Sequence, residues 1–261
     1  SEKYALQKQL PAYKKLEENT TILGVWDDHD FGENDAGASF SKKKESRKLL
    51  FDFLAIPKNH PAQEREGAYQ SYCFGGGAQK VCLYLLDVRY FKEDYEKDSS
   101  PNQRYKKNKG LLLGTDQWSW LENELFANDA TINLFAGGIQ LLSAEHPYEK
   151  WANFPLAQKR FFDLLTKYSI QTPIYLSGDR HIAEVSYQEI NPNYWIYDIT
   201  SSGLTHSYDS LENEPNQHRI SPLLTMLNFG KIEINWETLE LQAQIIDVDG
   251  IPQFIQKIAI Q

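Results

Sequence analysis

The spacing of apolar and polar side chains divides the chain into helical and extended stretches. Residues 2–18 form a charged amphipathic helix that Pro11 should break or restart, because proline lacks the N–H and clashes with the preceding turn. Residues 42–54 place Leu49, Leu50, Phe53 and Leu54 on one helical side. Residues 115–126 open on Thr115 as an N-cap, with Asp116 in the first turn and Trp118, Leu121 and Leu125 in one stripe. Pro155–Lys167 starts on a proline, whose missing N–H costs nothing there, and ends on a lysine that favours the helix C-terminus.

The strands are of two kinds. Residues 22–26, 81–88, 132–136 and 174–176 are apolar on both faces, as central strands covered on two sides must be. Residues 232–236 and 239–245 alternate and predict an antiparallel hairpin with one wet face, turned at Glu237-Thr238; residues 254–260 add one more strand. A layered α/β protein follows, with helices on a mixed sheet and a C-terminal antiparallel sheet from about 185 to 261. Residues 92–110 and 207–222 are polar and lack periodicity, so they read as long surface loops.

Composition narrows the function. A net charge of −9 argues against nucleic acid held on a basic face, although bound cations would let an anionic substrate approach. The basic runs at Lys42-Lys43-Lys44 and Arg104-Tyr105-Lys106-Lys107 are short enough to be solvated surface. Cys73 and Cys82 fall on neighbouring strands, where they form either one bridge or two buried thiols. The longest apolar runs fall short of a membrane span.

The chemistry gathers where two buried stretches end. Residues 22–26 run into Asp27-Asp28-His29-Asp30, and residues 174–176 run into Ser177-Gly178-Asp179-Arg180-His181. Ionisable groups in such places are costly unless water, a metal or mutual pairing satisfies them, and sites in α/β sheets collect beyond strand ends. Asp and His together suit zinc, manganese or iron; calcium would want more oxygen ligands. Gly178 would permit a tight turn or a close backbone approach. Alternation along a strand would point Asp27 away from Asp28. Arg89 could clamp a phosphate or pair with Asp87. Asn34 and Asp35 could face the site or merely form a turn. His146 and His206 are further cleft candidates, whereas His60 and His218 read as surface. Gly75-Gly76-Gly77 is a hairpin turn, because no Gly-Lys-Ser/Thr follows.

Trp26-Asp27-Asp28-His29-Asp30, Asn34-Asp35-Ala36-Gly37, Leu85-Leu86-Asp87-Val88-Arg89-Tyr90-Phe91, Gly138-Ile139-Gln140, Glu149-Lys150-Trp151-Ala152-Asn153-Phe154-Pro155 and Leu176-Ser177-Gly178-Asp179-Arg180-His181 occur in an order that resembles the alkaline phosphatase D (PhoD-like) family of metallophosphoesterases. The resemblance implies a calcineurin-like fold of two packed mixed sheets flanked by helices. It implies one domain over residues 1–261, read as the C-terminal two-thirds of the family's domain, because the family's Gly-Asp-Asn/Gln-x-Tyr segment finds no counterpart.

The implied activity is hydrolysis of phosphomonoesters or phosphodiesters by a metal-bound hydroxide. Two or more ions of zinc, manganese, iron or calcium would serve it. Asp28, Asp179 and His181 fall in metal-ligand places. His29 falls in the place of the His that faces the leaving group, with Asp27 supporting it, and Arg89 and Asn34 would touch substrate. The implied partner is a small phosphate ester, and the family tilts the compartment towards export or membrane association. The missing segment leaves an alternative: a non-catalytic binding domain with a partial metal site.

Overall fold

Segments covered on both faces have only their edges left for backbone hydrogen bonding, so they assemble side by side. The computed structural model describes every residue except Ser1, Pro101, Glu212 and Gln261. In it β1 (Gln70–Phe74) and β2 (Val81–Leu85) form an antiparallel hairpin, with Cys73 directly opposite Cys82 and the two joined by a disulfide. β3 (Ile132–Gly137) and β4 (Pro173–Ser177) continue the sheet in parallel. β5 (Ala183–Asn191) and β6 (Tyr194–Ser201) pair antiparallel with each other, and β6 lies parallel to β4. The order is β1-β2-β3-β4-β6-β5.

A second, antiparallel sheet contains β7 (Asn228–Asn235), β8 (Glu240–Asp247) and β9 (Pro252–Ala259). It starts at Asn228 rather than near 185, because β5 and β6 belong to the larger sheet. Alternation along the large sheet serves two cores. Ile132, Ile174, Val185 and Ile199 meet Leu241, Ala243, Ile245 and Ile258 between the sheets. On the opposite face Tyr84, Phe135 and Tyr175 pack with residues of two helices, Gly114–Phe126 and Pro155–Lys167.

Helices form largely where the periodicity places them. Pro11 does restart the first, giving α1 (Glu2–Gln9) and α2 (Pro11–Asn19). The four-residue α3 (Asp28–Phe31) precedes α4 (Lys43–Phe53). α4 buries Leu50 and Phe51, while Leu49, Phe53 and Leu54 stay half-buried. The helix expected from Thr115 begins at Gly114 without a side-chain cap, so Thr115 lies inside its first turn.

One expectation fails here. Residues 22–26 do not form a strand. A strand needs a neighbour's ladder, and among the described residues none runs beside this segment. It reaches the site outside any regular element, anchored by Trp26, whose Nε1 donates to Asp87 Oδ1 at 2.8 Å in the core.

Candidate metal centre

After Trp26 the chain turns. Asp27 keeps extended backbone at the N-cap of α3, and Asp28 enters the helical turn closed by Phe31 N–H on Asp27 O at 2.9 Å. The turn cancels strand alternation, so the Asp27 and Asp28 carboxylates converge instead of pointing apart. Together with Asp179 they offer oxygens that all lie within 4.8 Å of one another.

Asp179 arrives on the loop after β4. There Gly178 N–H donates to Gly138 O at 2.8 Å, tying this loop to the one that follows β3. Asp179 and His181 both occupy the left-handed backbone region, with φ of 64° and 51°, a costly conformation that clusters at functional sites. Gly138 is required in its place, since a Cβ there would lie 2.1 Å from Asp27 Oδ1. Burial, followed by the charges of Asp27 and Glu149, pushes the Asp179 carboxyl well above the ordinary carboxylate range.

Hydrogen bonds fix each carboxylate. Asp28 Oδ1 accepts from its neighbour's backbone, His29 N–H, at 2.7 Å, and Oδ2 accepts from Asp35 N–H at 3.1 Å. Asp27 is gripped by Arg89, whose Nε donates to Oδ1 at 2.8 Å. Arg89 corrects its expected role. It is fully buried, its guanidinium divides between Asp27 and Glu149, and only its backbone N–H meets Asp87. Buried between two carboxylates, Arg89 does not line the site's cavity. Glu149, given no site role by the sequence, also forms an acidic group with Asp28 and Asp35. Nearby Lys92, buried beside Glu149, is pushed down to about 8 by burial.

The carboxylates open onto a cavity of about 520 Å³. His29, Asn34, Asp35, His181 and His206 line it, as do Asp30, Arg104, Tyr148, Ser202 and Tyr208. The His29 ring is exposed, with Nε2 4.0 Å from Asp28 Oδ2. The His181 ring lies outside the three-carboxylate group, edge-on to His206 with centroids 4.7 Å apart, and its buried Nδ1 has no partner among the described residues. Burial, then His206, lowers its proton affinity.

His146 is not in the cleft. It is fully buried, both ring nitrogens lack partners among the described residues, and burial pushes it well below the usual histidine range. Gln140 stands behind the site, donating to Glu184 Oε1 and Thr200 Oγ1 at 2.7 Å each. Arg104, which sequence alone places in a solvated basic run, lines the cavity. No periodicity marks it, because only the fold brings residues 92–110 over the strand ends.

Three converging carboxylates, one held above its ordinary proton affinity, with an unpartnered imidazole nitrogen near them, fit a hard or intermediate cation. Among the described residues no helix is long and apolar enough to cross a membrane. A family model described as "PhoD-like phosphatase" matches residues 1–243. No curated protein matches in sequence. The chain is similar in fold to a solved structure entitled "Structure of PhoD", with a TM-score of 0.63 at 16% identity, covering 90% of this chain and 51% of that one. The chain thus spans about half the length of that solved relative.

Proposed function

We propose, from the premise that this chain belongs to the PhoD-like phosphatase family, that its strand-end cleft hydrolyses phosphate monoesters or diesters with the help of metal ions. The family is one of metal-dependent phosphoester hydrolases and has the calcineurin-like fold seen here. The observation that carries the reading is the convergence of Asp27, Asp28 and Asp179 within 4.8 Å at the floor of the cleft.

In this reading Asp27, Asp28 and Asp179 would hold the metal, and His181, with its buried Nδ1 unpartnered among the described residues, would supply a nitrogen ligand. Metal binding supplies Lewis acidity for the phosphoryl oxygens and a more acidic water. The chain's own residues do the rest. Two backbone N–H groups fix the Asp28 carboxylate, and Arg89 fixes Asp27, so neither must reorganise when substrate arrives. His29 stands exposed beside Asp28 and would give a proton to the leaving oxygen. Asn34 lines the cavity and would donate its amide to the ester.

The test is turnover of 4-nitrophenyl phosphate and bis(4-nitrophenyl) phosphate by metal-stripped protein resupplied with zinc, manganese, iron or calcium. Turnover with at least one ion is expected. None with any ion would replace the reading with that of a non-catalytic binding domain. His29→Ala should lower kcat by about a hundredfold on an ester with a poor leaving group; a rate within about twofold of wild type would remove its acid role.

A further inference from the structure

Five carboxylates line the cavity, at Asp27, Asp28, Asp30, Asp35 and Asp179, so positive charge other than metal is scarce there. Two arginines reach the lining. Arg180 is committed: its two terminal nitrogens each donate to Glu214 at 2.8 Å, and the group is buried. Arg104 is not. Its side chain is 49% exposed, and its nearest carboxylate is Asp35, at 3.7 Å and beyond hydrogen-bond distance.

Arg104 is nonetheless held in place. Its guanidinium lies over Tyr148, 5.1 Å from the ring centroid, and Arg180 contacts the same ring at 4.7 Å. Its backbone N–H donates to Pro147 O at 3.0 Å, while its carbonyl accepts from Asp98 N–H at 2.9 Å. Next to it Tyr105 Oη bonds to Asp35, whose N–H in turn holds Asp28. A guanidinium held by stacking and by a side-chain hydrogen bond to Tyr105, yet half-exposed, keeps the rest of its fork for an anion.

Arg104 also lines two adjoining spaces. It shares with Asn34 and Asp35 the lining of the second, a recess of about 390 Å³ that Lys97, Asp98 and Tyr105 complete. Lys97 is exposed and has no acidic partner among the described residues.

Resting on the phosphoesterase reading above, we infer that Arg104 determines specificity: the preferred substrates carry a second anionic group on the leaving side, and Arg104 receives it, backed by Lys97. A second phosphate or a carboxylate one ring's length from the reacting phosphorus has the required chemistry.

Phenyl phosphate and 4-carboxyphenyl phosphate, which differ by one negative charge, test this with the metal-loaded chain. Wild type should favour the carboxylated ester in kcat/KM by roughly five- to tenfold, as for a partly exposed charge-assisted pair. Arg104→Ala should lower that ratio several-fold, to the value set by leaving-group acidity alone, chiefly through KM, and Arg104→Lys should keep most of it. Lys97→Ala should reduce it partially. An unchanged ratio in Arg104→Ala, with turnover intact, overturns this inference alone. Failure of wild type to hydrolyse either ester overturns the phosphoesterase reading and this inference with it.

Discussion

Replacing Arg89 with leucine distinguishes a structural cation from a phosphate clamp. The guanidinium is fully buried, with Nη1 2.7 Å from Glu149 Oε2 and Nε 2.8 Å from Asp27 Oδ1. Leucine leaves Asp27 without its counter-charge and Glu149 with only Lys92, 3.8 Å away, close to the already strained Asp179. Removing one partner of a buried ion pair costs about 3–5 kcal/mol. With a urea m-value of roughly 2–3 kcal/mol/M, the unfolding midpoint of the metal-free chain should fall by roughly 1–2 M at pH 8. The deficit should narrow towards pH 5, because burial already raises the proton affinity of Glu149 and the unpaired carboxyls would escape their charge by protonation. Adding Glu149→Gln to Arg89→Leu should recover at least about 1 kcal/mol, since the two groups interact directly. A variant within about 0.5 kcal/mol of wild type whose only defect is a raised KM would refute the reasoning and return Arg89 to the substrate.

Three further outcomes follow. Burial pushes Asp198 from 3.8 up to about 6, although Leu141 and Leu142 N–H and Ser177 Oγ all donate to it. Its native form holds the proton more tightly than the unfolded chain, so its contribution is full below pH about 4 and falls by on the order of 3 kcal/mol as pH rises through about 6. The stability of wild type relative to Asp198→Asn, from urea melts at pH 4 and 7, should drop by that order; a constant difference would contradict the linkage. Replacing Cys73 and Cys82 together with serine opens a loop of sequence separation 9 and should cost about 2–3 kcal/mol in thermal or urea unfolding, against no change if the bridge does not form. Gly138→Ala should displace Asp27 and weaken manganese binding by about 10–100-fold in calorimetric titration; unchanged affinity would show that Asp27 needs no such close backbone.

The sequence was most legible where one face or both faces of an element had to be buried. Strands at 81–85, 132–137 and 173–177 and the helix Pro155–Lys167 follow from side-chain periodicity, which burial enforces. Residues 22–26 have the same apolar character yet form no strand, because pairing depends on a neighbour that periodicity cannot supply. The pairing of Asp28 with Asp179 was readable as two clusters of like chemistry beyond buried segments. The inward swing of Asp27 was not, because it depends on where the chain leaves extended geometry. Arg89 was assigned to the wrong partner, since its distant acids Asp27 and Glu149 meet it only in three dimensions. Arg104 and Tyr148 were missed for the same reason: loop residues without a period become cleft walls through tertiary contacts alone.

Calorimetric titration of metal-stripped protein with manganese, run beside Asp28→Asn and Asp179→Asn, addresses the shared carboxylate centre most directly. Wild type should bind at least one ion. Each variant should lose about tenfold or more in affinity while keeping its fold, and metal-free Asp179→Asn should unfold at higher urea than metal-free wild type, because the crowded negative charge is relieved. Wild type that takes up no ion, or amide variants that bind it as tightly as wild type, would contradict a metal centre built on these carboxylates.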